Sequence, residues 1–160
     1  MSKKFEGTEV LETDKKIVAY THGEIRSGKR LGAWAVTVTQ EGKWYETFTG
    51  TKRNSRHGYI NLKPIHEALK AYGDHPAGID VYTTSRYGEN CVNAYYDLFK
   101  ENNWVRNGKE MVNAQLIQDI VKMKSDGRKI IWKPVRETDK WQYATMEACK
   151  IVIDKTLQQE

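Results

Sequence analysis

Two strand-like runs separated by a turn, GAWAVTVT at residues 32–39 and KWYETFT at 43–49, constrain this chain more than any other feature. Both are rich in β-branched and aromatic residues, and Glu41 and Gly42 between them suffice for a tight reversal. A third run at residues 16–21 precedes them and extends the hairpin to a meander. It ends in IVAYTHGEI, where Gly23 lets the chain turn sharply and leaves His22 at the strand's end, a position suited to a chemical side chain.

The rest of the chain alternates between the two periods. Residues 60–72 place Ile60, Ile65, Ala68, Leu69 and Tyr72 on one helical face, with Pro64 tolerable only near the first turn. IDVYTT is a fourth strand, Gly88 to Lys100 a helix, and residues 110–124 a second helix with a broad apolar stripe ended by Ser125 to Gly127. KIIWKPV is a fifth strand, and residues 140–157 form a last helix with Ala144, Ala148, Ile151 and Val152 facing inward. The order βββαβααβα predicts an α/β fold, a five-stranded mixed sheet with helices on both faces. Residues 16–157 are read as a single domain and residues 1–15 as a flexible N-terminal extension.

Composition narrows the function classes. With 39% hydrophobic residues the chain is globular, and its two cysteines are too few for a disulfide framework. No charged leader followed by an apolar run opens it, and no stretch approaches the ~20 apolar residues of a membrane span. The expectation is an intracellular, cytoplasmic protein with no membrane association. His22, His57, His66 and His75 lack ligand spacing and the cysteines form no CxxC, so no metal or other cofactor is expected.

The net charge is +5, and the excess of Lys and Arg lies in residues 24–57 and 120–140. The first segment holds Arg26, Lys29, Arg30, Lys52, Arg53 and Arg56; the second holds Lys122, Lys124, Arg128, Lys129, Lys133, Arg136 and Lys140. Brought onto one face they would attract a phosphate backbone, although solvated surfaces carry such charges routinely.

In order and spacing, AYTHG, LGAWAVTV, VYTTSRYG, NNWVRNGKEMVNAQLIQDI and IIWKPV together resemble the type 1 ribonuclease H family. The resemblance covers nearly the whole chain and implies a ribonuclease H-like fold. It also implies catalytic carboxylates at four positions, which in this chain are His22, Asn61, Thr84 and Thr145, so a degenerate member is expected. The histidine that the family carries after the last strand falls near Val135 and is absent too. Two-metal phosphodiester cleavage needs anionic oxygens to hold two Mg²⁺ ions about 3.5 to 4 Å apart. An imidazole, an amide and two hydroxyls supply no formal negative charge. Glu24, Asp80 and Glu147 lie close in sequence, and each is read as a solvent-facing or locally paired acid rather than as a replacement.

Binding is separable from cutting. Arg26, Lys29 and Arg30 follow the first strand, and Lys52, Arg53, Asn54, Arg56 and His57, in TKRNSRHG, precede the helix of Asn61, a pattern that suits phosphate contact. Where the family places a basic helix this chain reads YYDLFKENNW, whose Tyr95, Phe99 and Trp104 are assigned to core packing. The leading reading is therefore an inactive ribonuclease H-like domain, not an enzyme, that binds RNA, DNA or hybrid. The alternative is a protein-interaction or inhibitor domain with a protein partner. An active nuclease with a displaced site is the third.

Overall fold

The computed structural model describes residues 3–6, 10–124, 127–134 and 139–159. The predicted hairpin joins β3 (Leu31–Gln40) to β4 (Lys43–Arg53), turning through Glu41 and Gly42 at φ 51° and 76°. Two successive positive φ angles match the right-handed twist of the flanking strands. β2 (Ile17–Arg26) runs antiparallel to β3 and parallel to β5 (Ile79–Thr83), which is itself parallel to β8 (Arg128–Trp132). These five strands form the expected mixed sheet.

A sixth strand corrects the expectation for residues 1–15. β1 (Lys3–Glu6) pairs antiparallel with β4, giving the order β1-β4-β3-β2-β5-β8. The open edge of β4 offers a row of unpaired backbone groups, and β1 satisfies them. Residues further along the same extension are held too. The Gln40 amide donates to the carbonyls of Glu12 and Lys15 at 2.7 Å each, and its oxygen accepts from the Glu12 N–H at 2.7 Å.

α1 (His57–Tyr72), α2 (Arg86–Asn93) and α4 (Ala114–Met123) cover one face of the sheet, and α5 (Lys140–Gln158) covers the other. The main core lies on the first face, where Ile17, Ala19, Trp34, Val36, Val81, Ile60, Leu62, Ile65, Ile117 and Ile120 are buried together. A smaller cluster of Leu31, Ala33, Val152 and Ile153 lies under α5.

Several boundaries differ from the predicted ones. α1 begins three residues earlier than expected, which puts Pro64 inside the helix. Its missing N–H leaves the Ile60 carbonyl without a helical donor, and that carbonyl lies against Gly23 of β2. The predicted helix over residues 88–100 is two, α2 and α3 (Tyr96–Glu101), broken at Ala94. Then β6 (Val105–Arg106) and β7 (Lys109–Glu110) form a miniature hairpin through Asn107 and Gly108, at φ 54° and 78°. α4 starts only at Ala114, because Asn113 is left-handed at φ 68°. On α5 the inward stripe is Gln142, Thr145, Cys149, Val152 and Ile153, so of the four residues expected inward only Val152 is buried; Ala144 and Ile151 are exposed.

Candidate functional site

β2 does not end at His22. Gly23 continues the strand opposite Trp34, and the ladder runs on to Arg26. No sharp turn occurs because glycine serves another purpose here: a Cβ on Gly23 would lie 2.1 Å from the Ile60 carbonyl oxygen and 3.0 Å from the Asn61 nitrogen. The bare strand lets the first turns of α1 settle onto it, which seats Asn61 beside the residue that follows His22. The Asn61 amide donates to the His57 carbonyl at 2.8 Å.

His22 sits on the α5 face of the sheet with its side chain 11% exposed. Its Nδ1 lies 2.7 Å from Thr84 Oγ1, and its Nε2 lies 3.1 Å from Glu24 Oε1. The fold therefore brings His22 and Thr84 together, whereas Asn61 lies on α1, with its backbone against Gly23 on the other face of β2. It also places Glu24 against the imidazole, a partner that sequence reasoning set aside although the two-residue strand period puts both on one face. Burial lowers the His22 pKa from its ordinary value; Glu24 opposes that shift and the Lys150 charge on α5 adds to it.

Thr145 lies one helical turn before Cys149 on α5. It is fully buried under the sheet, its hydroxyl 2.6 Å from Thr37 Oγ1 and 2.7 Å from the Trp141 carbonyl. Thr145 belongs to the inward stripe of this helix. What α5 presents to His22 is Cys149, whose thiol donates to the His22 carbonyl at 3.3 Å, together with Lys150. Asp80 pairs with Lys16 at 3.5 Å and Glu147 with Lys150 at 3.7 Å. Among the described residues no three or more His, Cys, Asp or Glu side chains gather as metal ligands would. Val135 lies outside the described residues.

The first basic segment is partly assembled. Arg30 and Asn54 both adopt left-handed backbone, at φ 51° and 55°, and the Asn54 N–H donates to the Arg30 carbonyl at 2.7 Å, closing the end of the β3–β4 ladder. With Ile25, Ser55, Arg56 and His57 they line an open cleft of about 420 Å³. Among the described residues no side chain caps α1, and no acid occupies its first turn, so the helix start adds open N–H groups to these cations. Lys52 extends over the Tyr59 ring, 5.2 Å from its centroid. Lys29 is exposed in a short 3₁₀ turn, and Arg53 is exposed at the end of β4 opposite Leu31. Arg26 departs from the group: its guanidinium pairs with Asp154 on α5.

The start of β8, in the second basic segment, does not join the first. Arg128 stands opposite Ile79 at the start of the parallel strands, whereas Arg30 lies beyond the far end of β2. Lys124 donates to the Val92 carbonyl and Asn93, Arg128 donates to the Met123 carbonyl, and Lys133 pairs with Asp139 at 3.5 Å. Arg136 lies outside the described residues.

A groove that the sequence reading missed runs between α2, α3 and the small hairpin. Tyr87, Tyr95, Leu98 and Val105 line it while 45%, 45%, 53% and 44% exposed, around a volume of about 470 Å³. Phe99 packs with Tyr95 and Trp104, and Trp104 with Tyr96, so Phe99 and Trp104 join the core as expected while Tyr95 is exposed. No helix among the described residues is long and apolar enough to cross a membrane.

Comparison with known proteins agrees with this architecture. The family model for RNase H matches residues 14–139. The chain is 25% identical over 113 residues to ribonuclease H of Francisella tularensis subsp. novicida, covering 70% of this chain and 73% of that protein. Against ribonuclease H of Chromobacterium violaceum it is 25% identical over 127 residues, covering 79% and 85%. Among solved structures, a type 1 RNase H with the type 2 active-site motif superposes with a TM-score of 0.72 at 15% identity, covering 90% of this chain and 74% of that one. A foamy viral protease-reverse transcriptase in complex with RNA/DNA hybrid gives 0.64 at 18% identity, covering 91% of this chain. The chain spans about a fifth of that protein, 20% of its length.

Proposed function

We propose that this chain, which belongs to the ribonuclease H family, binds a nucleic-acid backbone in the cleft at the start of α1 and does not cut it by the two-metal chemistry of its relatives. The cleft carries the reading: Arg30, Asn54, Arg56 and His57 converge there with the open N–H groups of a helix start. Cations and backbone donors so arranged favour phosphate oxygens. Lys29 and Lys52 supply further positive charge around it; Arg26 is excluded because Asp154 neutralises it.

The donor set at His22 supports the second half. Mg²⁺ is a hard cation that takes anionic oxygens in octahedral geometry. Both ring nitrogens of His22 are engaged, Asn61, Thr84 and Thr145 carry no charge, and Lys150 adds a positive charge nearby. Glu24 contributes one carboxylate, which is bound to the imidazole. These residues do not fit a pair of divalent ions.

Labelled hybrid, duplex and single-stranded oligonucleotides, each titrated in EDTA across a salt series and then incubated with Mg²⁺ or Mn²⁺, test both halves. Retention without metal is expected, with affinity falling steeply as salt rises. Arg30→Ala and Arg56→Ala are each expected to reduce the salt slope by about 1. Absence of retention sinks the binding half, and metal-dependent cutting sinks the other. A protein partner is the second reading, supported by the exposed Tyr87, Tyr95 and Leu98; partner capture that ignores salt, with no oligonucleotide retained, would favour it.

A further inference from the structure

The proton positions around His22 follow from the chemistry of its neighbours. A carboxylate oxygen is an acceptor, so Nε2 donates to Glu24 Oε1 across 3.1 Å. A neutral ring then carries its lone pair on Nδ1, and the Thr84 hydroxyl must donate to it across 2.7 Å. The result is a hydroxyl, an imidazole and a carboxylate in series, the order in which a base activates a nucleophile and an acid orients the base.

We propose that Thr84 is a nucleophile toward carboxylic esters, with His22 as its general base and Glu24 holding the ring. This chemistry is separate from phosphodiester cleavage, and the proposal does not depend on nucleic-acid binding. Three features of the surroundings support it. Burial, with Lys150, keeps the imidazole unprotonated near neutral pH, so its Nδ1 lone pair is available. His22 is largely shielded from water while Thr84 is only half-buried, at the junction between β5 and α2. The helix start that follows Thr84 also carries N–H donors of the kind a developing oxyanion requires. Thr83 Oγ1 takes the Ser85 N–H and Ser85 Oγ takes the Gly88 N–H, but Arg86 and Tyr87, in the first turn, have no carbonyl within the helix to bond.

The reaction balances with water alone. Thr84 Oγ1 attacks the acyl carbon as its proton passes to Nδ1, and the imidazolium is stabilised by Glu24. The bond from the acyl carbon to the alkoxy oxygen breaks, and the alcohol leaves with the proton from Nδ1. Water then attacks acyl-Thr84, again giving its proton to Nδ1, and the carboxylic acid departs as the Thr84 hydroxyl is restored.

A fluorophosphonate probe tests this on the whole chain, with peptide mass spectrometry to place the adduct. One adduct per chain on Thr84 is expected, together with a one-equivalent burst of alcohol from p-nitrophenyl acetate. Thr84→Ser is expected to retain labelling, Thr84→Val to abolish it, His22→Gln to slow it at least ~100-fold and Glu24→Gln at least ~10-fold. The labelling rate should rise with pH through the lowered His22 pKa and then level off. An unlabelled wild-type chain, or an adduct on another hydroxyl, overturns the proposal whether or not any variant folds. Labelling of Thr84 that is unchanged in His22→Gln also overturns it, because the hydrogen-bonded series would then be structural only.

Discussion

One methyl group at Gly23 would test how tightly the site is built. The Ile60 carbonyl rests on the glycine because Pro64 offers that carbonyl no N–H, so the close approach and the proline depend on each other. A Cβ 2.1 Å from a backbone oxygen cannot be absorbed by a rotamer change. Gly23→Ala is therefore expected to destabilise the fold by about 2 kcal/mol or more, measured by urea unfolding. Stability equal to wild type would mean that α1 rides on the strand more loosely than the geometry indicates. His22 and His66 add a pH dependence at the same scale. Burial, the largest cause at each, lowers both pKa values. The unfolded chain then binds more protons than the folded one, so stability falls as pH drops below about 6.5, the ordinary histidine value, and through the lowered folded values. His22→Gln is expected to flatten part of that loss and His66→Gln the remainder; melts recorded between neutral and mildly acidic pH would show it.

At the scale of elements, α5 is the clearest case of what the sequence could and could not convey. Its start is fixed by Asp139, whose carboxylate accepts from the Trp141 and Gln142 N–H groups at 3.0 Å each. Asp139→Ala should cost about 1 kcal/mol of stability. Burial alone would raise the Asp139 pKa, yet the Gln142 N–H, Lys133, Tyr20 and the Trp141 N–H hold it below the ordinary value. Its contribution is thus present above about pH 4 and lost as pH falls through the lower folded value, and Asp139→Asn should flatten that acid limb in thermal melts. The span of α5 was legible from its periodicity, but its orientation was not. Two inward positions are the polar Gln142 and Thr145, bonded to the Thr21 carbonyl and to Thr37, so a search for apolar period selected Ala144, Ala148 and Ile151 instead. That same shift hid the burial of Thr145. The β3–β4 hairpin was legible because long alternating runs flank Glu41 and Gly42. The Asn107–Gly108 turn was missed because its strands are two residues each, too short to alternate. Nothing such as Gly or Pro marks the break at Ala94.

For the whole molecule, the placement of charge matters more than its sum. The parallel strands β2, β5 and β8 give the sheet two distinct ends. His22, Thr84 and the cleft of Arg30, Arg56 and His57 lie toward one, and Arg128 and Lys129 lie toward the other. A net charge of +5 read as one basic face would predict that every exposed cation contributes to phosphate binding. The fold predicts otherwise, because counterions are released only where lysine or arginine meets phosphate. Lys129 stands at the sheet's far end, and Arg26 is committed to Asp154. In oligonucleotide binding measured across a salt series, Lys129→Ala and Arg26→Ala should leave the slope of log affinity against log salt unchanged, while Arg56→Ala lowers it by about 1. A loss at Lys129 equal to that at Arg56 would require a ligand that runs the length of the sheet, and the cleft would then be only one end of a much longer track.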